Sequence, residues 1–496
     1  MPLTPLKLPD LVNLMNGQPT TNGWDVLCSY SMSHINTLLK SKYDAGKLVN
    51  EVKFSTDRQD PLTQTELNIA YDVLFGAPSL SFIAGSSGNA TLTMPISGGS
   101  YTITEKGSAT GRTSAIPANT YSIQGVFPLA AVNGTTGQVS QKGDVIVFDD
   151  GKTEESHVII HFRNEKGANF KILPKPDPSR IDILETFFLP VLNQHFIDDV
   201  QEIDYSMAYV NNAPAQNGDR IFSPNAFVFA TMGGDPDGVL SIYIQTKESG
   251  NPMGDPDPAF QPSNKEALPV PDGYTASLIL SYGLITNGFI SKQLSVEGFT
   301  SDFIPAAKGI MANVSKKASI TAVDASGNSI FENHNYPGVS IPLTTYPLRL
   351  VIDSGAISVG FNGDCNDINW DSNTFGGGHW GKVDVNISMA KAPKPIAVTN
   401  NDINVPALDL TSGDFRINTS SHSCSIWETM AECSTVYPNY YNNLPISIPN
   451  LDVRIYGLNF FLETNVLAPG TKVVNIDDKA GVNTPHDFII VGQLIG

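Results

Sequence analysis

The feature that most constrains the fold is a strand-helix opening that occurs once in each half of the chain. In the first half, residues 25–30 (DVLCSY) lead into SMSHINTLLKSKY, and in the second half, residues 277–282 (SLILSY) lead into GLITNGFISKQL. Each copy predicts a short strand followed by an amphipathic helix, with a Ser-Tyr pair at the junction. The repeat therefore predicts two related domains, each of which begins with a strand and a covering helix.

The length of the chain agrees with two domains, because 496 residues exceed what one hydrophobic core usually supports. Between the two openings, residues 247–273 contain six prolines and almost no hydrophobic periodicity, which is typical of an extended boundary. We therefore predict an N-terminal extension at residues 1–22, a first domain at 23–246, a linker at 247–273 and a second domain at 274–496.

Most of the remaining hydrophobic periodicity is that of β-strands. In the first half, Leu92, Met94 and Ile96 alternate with Thr93 and Pro95, and runs such as KVDVNISMA alternate in the same way in the second half. Antiparallel sheets commonly bury one face of such strands and leave the other face in water. The sequence therefore predicts an α+β fold in which a curved antiparallel sheet wraps a helix in each half.

Charge and hydropathy exclude several classes of function. The formal net charge of −19 repels phosphate backbones, so we expect no nucleic-acid partner. No apolar run approaches the roughly 20 residues of a membrane-spanning helix, so we predict no transmembrane segment. Because Pro5, Lys7 and Pro9 interrupt the N-terminal apolar residues, no signal peptide is recognisable. We therefore expect a protein that is cytoplasmic or released without such a peptide.

Patterns of enzyme and metal chemistry are missing from the sequence. There is no Gly-x-Ser-x-Gly elbow, P-loop or HExxH helix, and Ser372 stands where an EF-hand loop starting at Asp367 needs glycine. We therefore expect no catalytic residue, no metal and no cofactor. Residues 376–380 (GGGHW) lie outside a strand-to-helix context, so they predict a flexible loop with a half-buried aromatic side chain.

Short motifs at both ends of the chain resemble those of one known family. Asn22-Gly23-Trp24-Asp25-Val26 runs into a helix that carries Asn36, residues 459–470 (NFFLETNVLAPG) are similar to the family's Phe-x-Leu-Lys-x-Leu-Leu-Phe-Pro signature, and residues 484–492 (TPHDFIIVG) are similar to its closing Pro-Gly-Asp-Phe-x-x-x-Gly. Glu463 replaces the family's lysine, and His486 replaces its glycine. The chain thus resembles the clostridial neurotoxin-cluster proteins of the OrfX and forty-seven-kilodalton type, members of the tubular lipid-binding (TULIP) superfamily.

This resemblance implies two tandem TULIP-like domains, each a highly curved antiparallel sheet around a long amphipathic helix, with an apolar groove for a lipid. The apolar residues expected to line the grooves are Met32, Ile35, Leu38, Leu39, Leu92, Met94, Ile96, Leu284, Phe289 and Ile290. The basic residues expected near a headgroup are Lys166, Lys171, Lys175 and Arg180. The alternatives are that the apolar positions are simply core and that the basic segment is a solvated loop.

The function implied is non-catalytic binding of a lipid or another elongated apolar small molecule, whose chain the protein buries. Each buried methylene contributes roughly 0.8 kcal/mol, so eight of them would give about 6 kcal/mol before ordering costs. Because members of the resembling family are encoded beside toxins, the alternative is an assembly or toxin-accessory component. In that alternative the grooves are filled by the protein's own side chains, and the partners are proteins encoded in the same cluster.

Overall fold

A computed structural model describes most of the chain. The residues that it describes are 3–46, 48, 50–60, 63–82, 89–128, 130–133, 146–147, 155–163, 171–173, 189–198, 202–211, 224–233, 238–247, 249–323, 333–335, 337–374, 377–399, 402–424, 441–450, 452–453 and 474–494. The motif at 459–470 and the basic residues Lys166, Lys175 and Arg180 lie outside this part of the chain. The statements below concern the described residues.

Regular structure in these residues is mostly β. The α-helices are α1 (Leu8–Met15), α2 (Met32–Asp44), α3 (Leu189–Asp198) and α4 (Ser291–Val296). The helix α4 continues directly from a π-helix at Leu284–Ile290, and short 3₁₀ turns lie at Pro262–Asn264 and Ser412–Asp414. None of the described helices is long and apolar enough to cross a bilayer.

The strands divide between the two halves of the chain. The strands before residue 247 are β1 (Val26–Ser31), β2 (Glu51–Gln59), β3 (Glu66–Phe75), β4 (Ser79–Phe82), β5 (Asn89–Glu105), β6 (Arg112–Ala115), β7 (Ser122–Pro128), β8 (Ala130–Asn133), β9 (Ile146–Val147), β10 (Glu155–Arg163), β11 (Lys171–Leu173), β12 (Glu202–Asn211), β13 (Pro224–Met232) and β14 (Val239–Thr246). The strands after residue 273 are β15 (Ala276–Leu280), β16 (Thr300–Ile304), β17 (Ile310–Ser315), β18 (Ser319–Ala322), β19 (Asn333–Asn335), β20 (Val339–Pro342), β21 (Leu348–Asp353), β22 (Ala356–Thr374), β23 (Gly377–Ala390), β24 (Lys394–Pro395), β25 (Ala397–Thr399), β26 (Asp402–Asn404), β27 (Leu408–Asp409), β28 (Arg416–Cys424), β29 (Ile446–Ser447), β30 (Asp452–Val453), β31 (Val474–Ile476) and β32 (Phe488–Leu494).

A seven-stranded antiparallel sheet forms the centre of the fold, and both halves contribute to it. Its strand order is β31-β32-β15-β1-β14-β13-β9. The two opening strands lie side by side, because β1 pairs with β15 from Val26 opposite Leu280 to Tyr30 opposite Ala276. On the outer sides, β14 pairs with β1 and β32 pairs with β15. Both predicted opening strands are therefore present, and they meet in the middle of one shared sheet.

Both faces of this central sheet are buried. All eight residues of β14 and all five of β15 are buried, which explains why apolar side chains predominate in both strands and occur on both faces. One face, which includes Cys28 and Ile242, belongs to the main core together with the apolar side of α2. The other face, which includes Leu27 and Tyr243, belongs to a second core.

The predicted N-terminal extension and linker build the cover of that second face. Met15 of α1 and Phe260 of residues 247–273 are fully buried against it. Asn22 Nδ2 donates a hydrogen bond of 2.7 Å to the Ala259 carbonyl, which joins the two covering segments. Residues 247–273 are largely irregular, as their composition predicts, and buried residues such as Phe260 alternate with exposed stretches. Part of the segment therefore packs on the central sheet, and part of it is exposed.

Two further large sheets flank the centre. One has the order β11-β7-β5-β3-β2, with β4 and β6 also paired to β5, and the other has the order β16-β17-β21-β22-β23-β28, with β19 and β24 paired to β22. Every described strand pair is antiparallel, so the predicted β-rich antiparallel fold is confirmed. The predicted long amphipathic helix in each half is not confirmed: α2 has 13 residues, and the π-helix and α4 have 7 and 6.

Candidate functional site

The apolar stripe of α2, which was predicted to line a groove, faces the main core. Met32, Ile35 and Leu39 are buried, while Leu38 is half-buried at the margin of the stripe. The stripe forms because apolar side chains recur at three- and four-residue spacing and so share one side of the helix. This side of α2 packs toward β4.

Asn36 fixes α2 on the edge of β4. Its Nδ2 donates to the Leu80 carbonyl oxygen over 2.9 Å, and its Oδ1 accepts from the Leu80 N–H over 2.7 Å. The side-chain amide therefore takes the place of a neighbouring strand for that residue. Further along the helix, Tyr43 donates through its hydroxyl to the Phe75 carbonyl over 2.7 Å.

The strand candidates Leu92, Met94 and Ile96 lie on β5 and point into the same core. All three are buried. Within the sheet, Leu92 stands opposite Leu80 of β4, so it lies beside the strand on which α2 rests. The structure therefore brings the candidates on α2 and β5 together in one apolar layer, which we call the α2–β5 layer.

The second helical element differs from its prediction. Leu284, Phe289 and Ile290 are buried, but so are Ile285, Thr286 and Gly288, which leaves Asn287 as the exposed residue of the π-helix. This segment is therefore buried nearly all round and does not present the single apolar stripe of an amphipathic helix. Its position explains the burial, since it follows β15 directly in the interior of the molecule.

Of the four basic residues expected near a headgroup, one lies in the part of the chain that the structure describes. Lys171 is exposed at the start of β11, and Lys166, Lys175 and Arg180 lie outside the described residues. A cluster of positive charge at this place therefore stays a prediction.

The α2–β5 layer is tightly packed among the residues that the structure describes. All of its candidates except Leu38 belong to one continuous core, and a Cβ on Gly238 would meet Phe82 at 2.9 Å and the Met32 sulfur at 3.3 Å. A surface cavity of about 320 Å³ lies elsewhere, at the end of the β2–β3 hairpin. Its lining is mostly polar and consists of Asp57, Arg58, Gln59, Glu66, Leu67, Asn68 and Lys106.

Asp25 is a buried carboxylate directly before β1. Its Oδ2 accepts hydrogen bonds from Gln245 Nε2 (2.7 Å) and from the N–H and hydroxyl of Thr246 (2.7 and 2.9 Å), and its Oδ1 accepts one from Asn251 Nδ2 (2.7 Å). Burial raises the pKa of Asp25, and the bonds from Asn251 and Thr246 oppose that shift. The carboxylate ties the end of β14 and the start of the covering segment to β1.

Asp487 is the corresponding buried carboxylate directly before β32. Its Oδ2 accepts from the N–H and the hydroxyl of Thr20 (2.6 and 2.7 Å), and its Oδ1 accepts from the Tyr282 N–H (2.8 Å). Burial raises the pKa of Asp487, against the lowering effect of the bonds from Tyr282 and Thr20. The ring of His486 stacks on Tyr282 with centroids 4.5 Å apart.

The two aspartates meet at the junction that follows β15. The Asp25 carbonyl accepts from the Ser281 N–H over 2.8 Å, next to the Tyr282 N–H that Asp487 binds. Neither carboxylate was predicted from the sequence to have a role. The available signal was the position of each residue directly before an apolar strand, inside the motifs at 22–26 and 484–492. Both carboxylates hold chain segments together.

Comparison with known proteins indicates the fold. No protein-family model matches the sequence, and no curated protein matches it. The solved structure of P47 from Clostridium botulinum A2 matches 96% of this chain and 98% of its own, with a TM-score of 0.51 and 13% identity. The crystal structure of lipopolysaccharide binding protein gives a TM-score of 0.22 and 9% identity over 95% of this chain and 99% of its own, which is too low to support an argument. The chain therefore shares its overall fold with P47.

Proposed function

We propose that the protein binds a lipid or another elongated apolar molecule and does not change it chemically. The observation that carries this proposal is the fold shared with P47 along nearly the whole chain. It agrees with the TULIP resemblance of the terminal motifs, which implies an apolar groove between sheet and helix in each half. The α2–β5 layer supplies the apolar side chains that such a ligand needs.

Entry of a ligand would require α2 to move away from β4. The helix is held there by the two Asn36–Leu80 hydrogen bonds and the Tyr43–Phe75 bond. Three such bonds contribute together about 3 kcal/mol. An acyl chain that buries about eight methylenes contributes about 6 kcal/mol, and its contacts replace those between α2 and the strands. The ligand can therefore offset the cost of displacing the helix.

The proposal is tested on the full-length protein, freshly purified from cells. Native mass spectrometry should show added mass that organic extraction identifies as lipid, and a fluorescent fatty acid should bind and be displaced by that lipid. Leu38→Gln changes the half-buried margin of the layer and should weaken fatty-acid binding several-fold, whereas Lys40→Gln on the exposed side of α2 should not. A protein that carries no lipid and ignores every lipid class refutes the proposal.

The second candidate is an assembly or toxin-accessory component without a lipid ligand. It is favoured by one observation, which is that the described groove candidates other than Leu38 pack as core. Gel filtration with the proteins encoded beside this chain distinguishes the two functions. A stable complex that contains no lipid would support the assembly function.

A further inference from the structure

The strand β2 is a long edge that no other described strand covers. It stands at the end of the order β11-β7-β5-β3-β2 and pairs with β3 from Glu51 opposite Leu74 to Gln59 opposite Glu66, without a register shift. Six of its nine residues are exposed. A regular exposed edge presents backbone donors and acceptors to which another strand can add.

The edge of β4 in the same sheet is, by contrast, protected from pairing with another strand. There, Asn36 occupies the Leu80 N–H and carbonyl, and α2 covers the strand. On β2, the residues that alternate with the outward row, such as Val52 and Phe54, are half-buried against the main core. The apolar face of the sheet therefore continues up to this edge and ends there.

The charges along β2 complement a second copy of the same strand. The outward row is Glu51, Lys53, Ser55, Asp57 and Gln59, all of them exposed. In an antiparallel pair with a two-fold axis at Ser55, Lys53 of each copy stands opposite Asp57 of the other copy. Opposite charges across a strand pair are favourable and like charges are unfavourable. The opposite-charge contact therefore occurs twice in the pair.

The local charge also favours self-association at this place. The strand carries two acidic residues, Glu51 and Asp57, and two basic residues, Lys53 and Arg58, so its formal charge is zero in a chain whose net charge is −19. Two copies that approach through these edges therefore repel each other less than the net charge of the whole chain suggests. On the opposite face, the same register places Phe54 opposite Thr56, so no like charges meet there.

We propose that two copies of this chain associate through β2, edge to edge and antiparallel, with Lys53 and Asp57 as the reciprocal contacts that set the register. The association joins the β11-β7-β5-β3-β2 sheets of the two copies into one continuous sheet. It does not depend on the ligand, because the α2–β5 layer lies on other strands.

Sedimentation velocity of the full-length protein tests this between about 1 µM and about 100 µM, a range that covers weak and moderate dimers. The wild type should form dimers as concentration rises. Asp57→Lys places Lys53 opposite a lysine twice and should weaken dimerisation about tenfold or more, and Lys53→Asp should do the same. The double variant Lys53→Asp/Asp57→Lys restores opposite charges and should dimerise like the wild type.

Asp44→Lys is the matched control. It changes the net charge by the same amount as Asp57→Lys, and Asp44 lies on the exposed surface of α2, where it pairs with Lys40. It should leave dimerisation unchanged, and circular dichroism checks that each variant is folded. A wild type that stays monomeric at every concentration overturns the proposal. So does a dimer that Asp57→Lys does not weaken, or one that the double variant does not restore.

Discussion

The most direct test of the packing concerns Asp487. Its carboxylate is 1% exposed and accepts hydrogen bonds from the Thr20 N–H, the Thr20 hydroxyl and the Tyr282 N–H. Asp487→Ala leaves two backbone N–H groups without their partner, and each such buried group costs about 1–3 kcal/mol. Part of this loss is offset, because the variant no longer desolvates a carboxylate. We expect the free energy of unfolding to fall by about 2–4 kcal/mol.

Denaturant unfolding followed by tryptophan fluorescence measures this loss, because the fully buried Trp24 lies beneath the same covering segments. Asp478→Ala is the control, since it removes an exposed carboxylate from the loop before β32 and should change stability by less than about 0.5 kcal/mol. Limited proteolysis should also cut the Asp487→Ala variant faster near Thr20. If the two variants are equally stable, the Asp487 carboxylate does not hold the N-terminal segment in place.

Three further outcomes follow from the structure. Burial raises the pKa of Asp487 above its ordinary 3.8, so its contribution to stability is full below pH 3.8 and is lost as the pH rises through the raised pKa. In denaturant titrations, the stability of the wild type relative to Asp487→Asn should therefore fall as the pH rises above 3.8. Gly254→Ala should destabilise by about 1–3 kcal/mol, because a Cβ there would overlap the Trp24 ring, whereas Gly413→Ala should be nearly neutral in the same assay. Burial raises the pKa of the Cys28 thiol to about 12, so iodoacetamide at about pH 8 should label it only after unfolding, as mass spectrometry of the peptide that contains Cys28 would show.

Strands and helices could be predicted from the sequence where a single hydrophobic pattern, either a short apolar run or helical spacing, dominates the segment. The runs that became β1 and β15 are apolar and end at a Ser-Tyr junction, and the stripe of α2 repeats at helical spacing, so both were identified correctly. The segment Leu284–Ile290 was predicted as an amphipathic helix, but it forms a π-helix that is buried nearly all round. The prediction differs because the burial of this segment depends on the surrounding sheets and not on its own periodicity.

Composition alone does not determine the burial or the pairing of two segments. The prolines of residues 247–273 predict an extended linker but not which of its residues are buried, and Phe260 and Leu268 pack in cores to which distant strands contribute. Residues 376–380 were predicted to form a loop with a half-buried aromatic side chain, but β23 begins at Gly377 and Trp380 is 55% exposed. The glycines hide the pairing, since the register with β22 is set by the partner strand.

Asp25 and Asp487 were not recognised because an acidic residue in a sequence is usually at the surface. Their burial depends on donors up to 467 positions away, as with Thr20 and Asp487, and no local pattern encodes such a distance. Whether the α2–β5 layer admits a ligand likewise depends on how α2 rests on β4, which the stripe itself does not determine.

The pairing of β1 with β15 predicts how two separately expressed fragments of the chain would behave. A polypeptide cut within residues 247–273 would yield two fragments. Each fragment would expose an apolar strand edge, because β1 and β15 would lose their pairing with each other. Either piece produced alone should precipitate. Produced together, they should find each other and refold into a soluble, unlinked whole, as split reporters do.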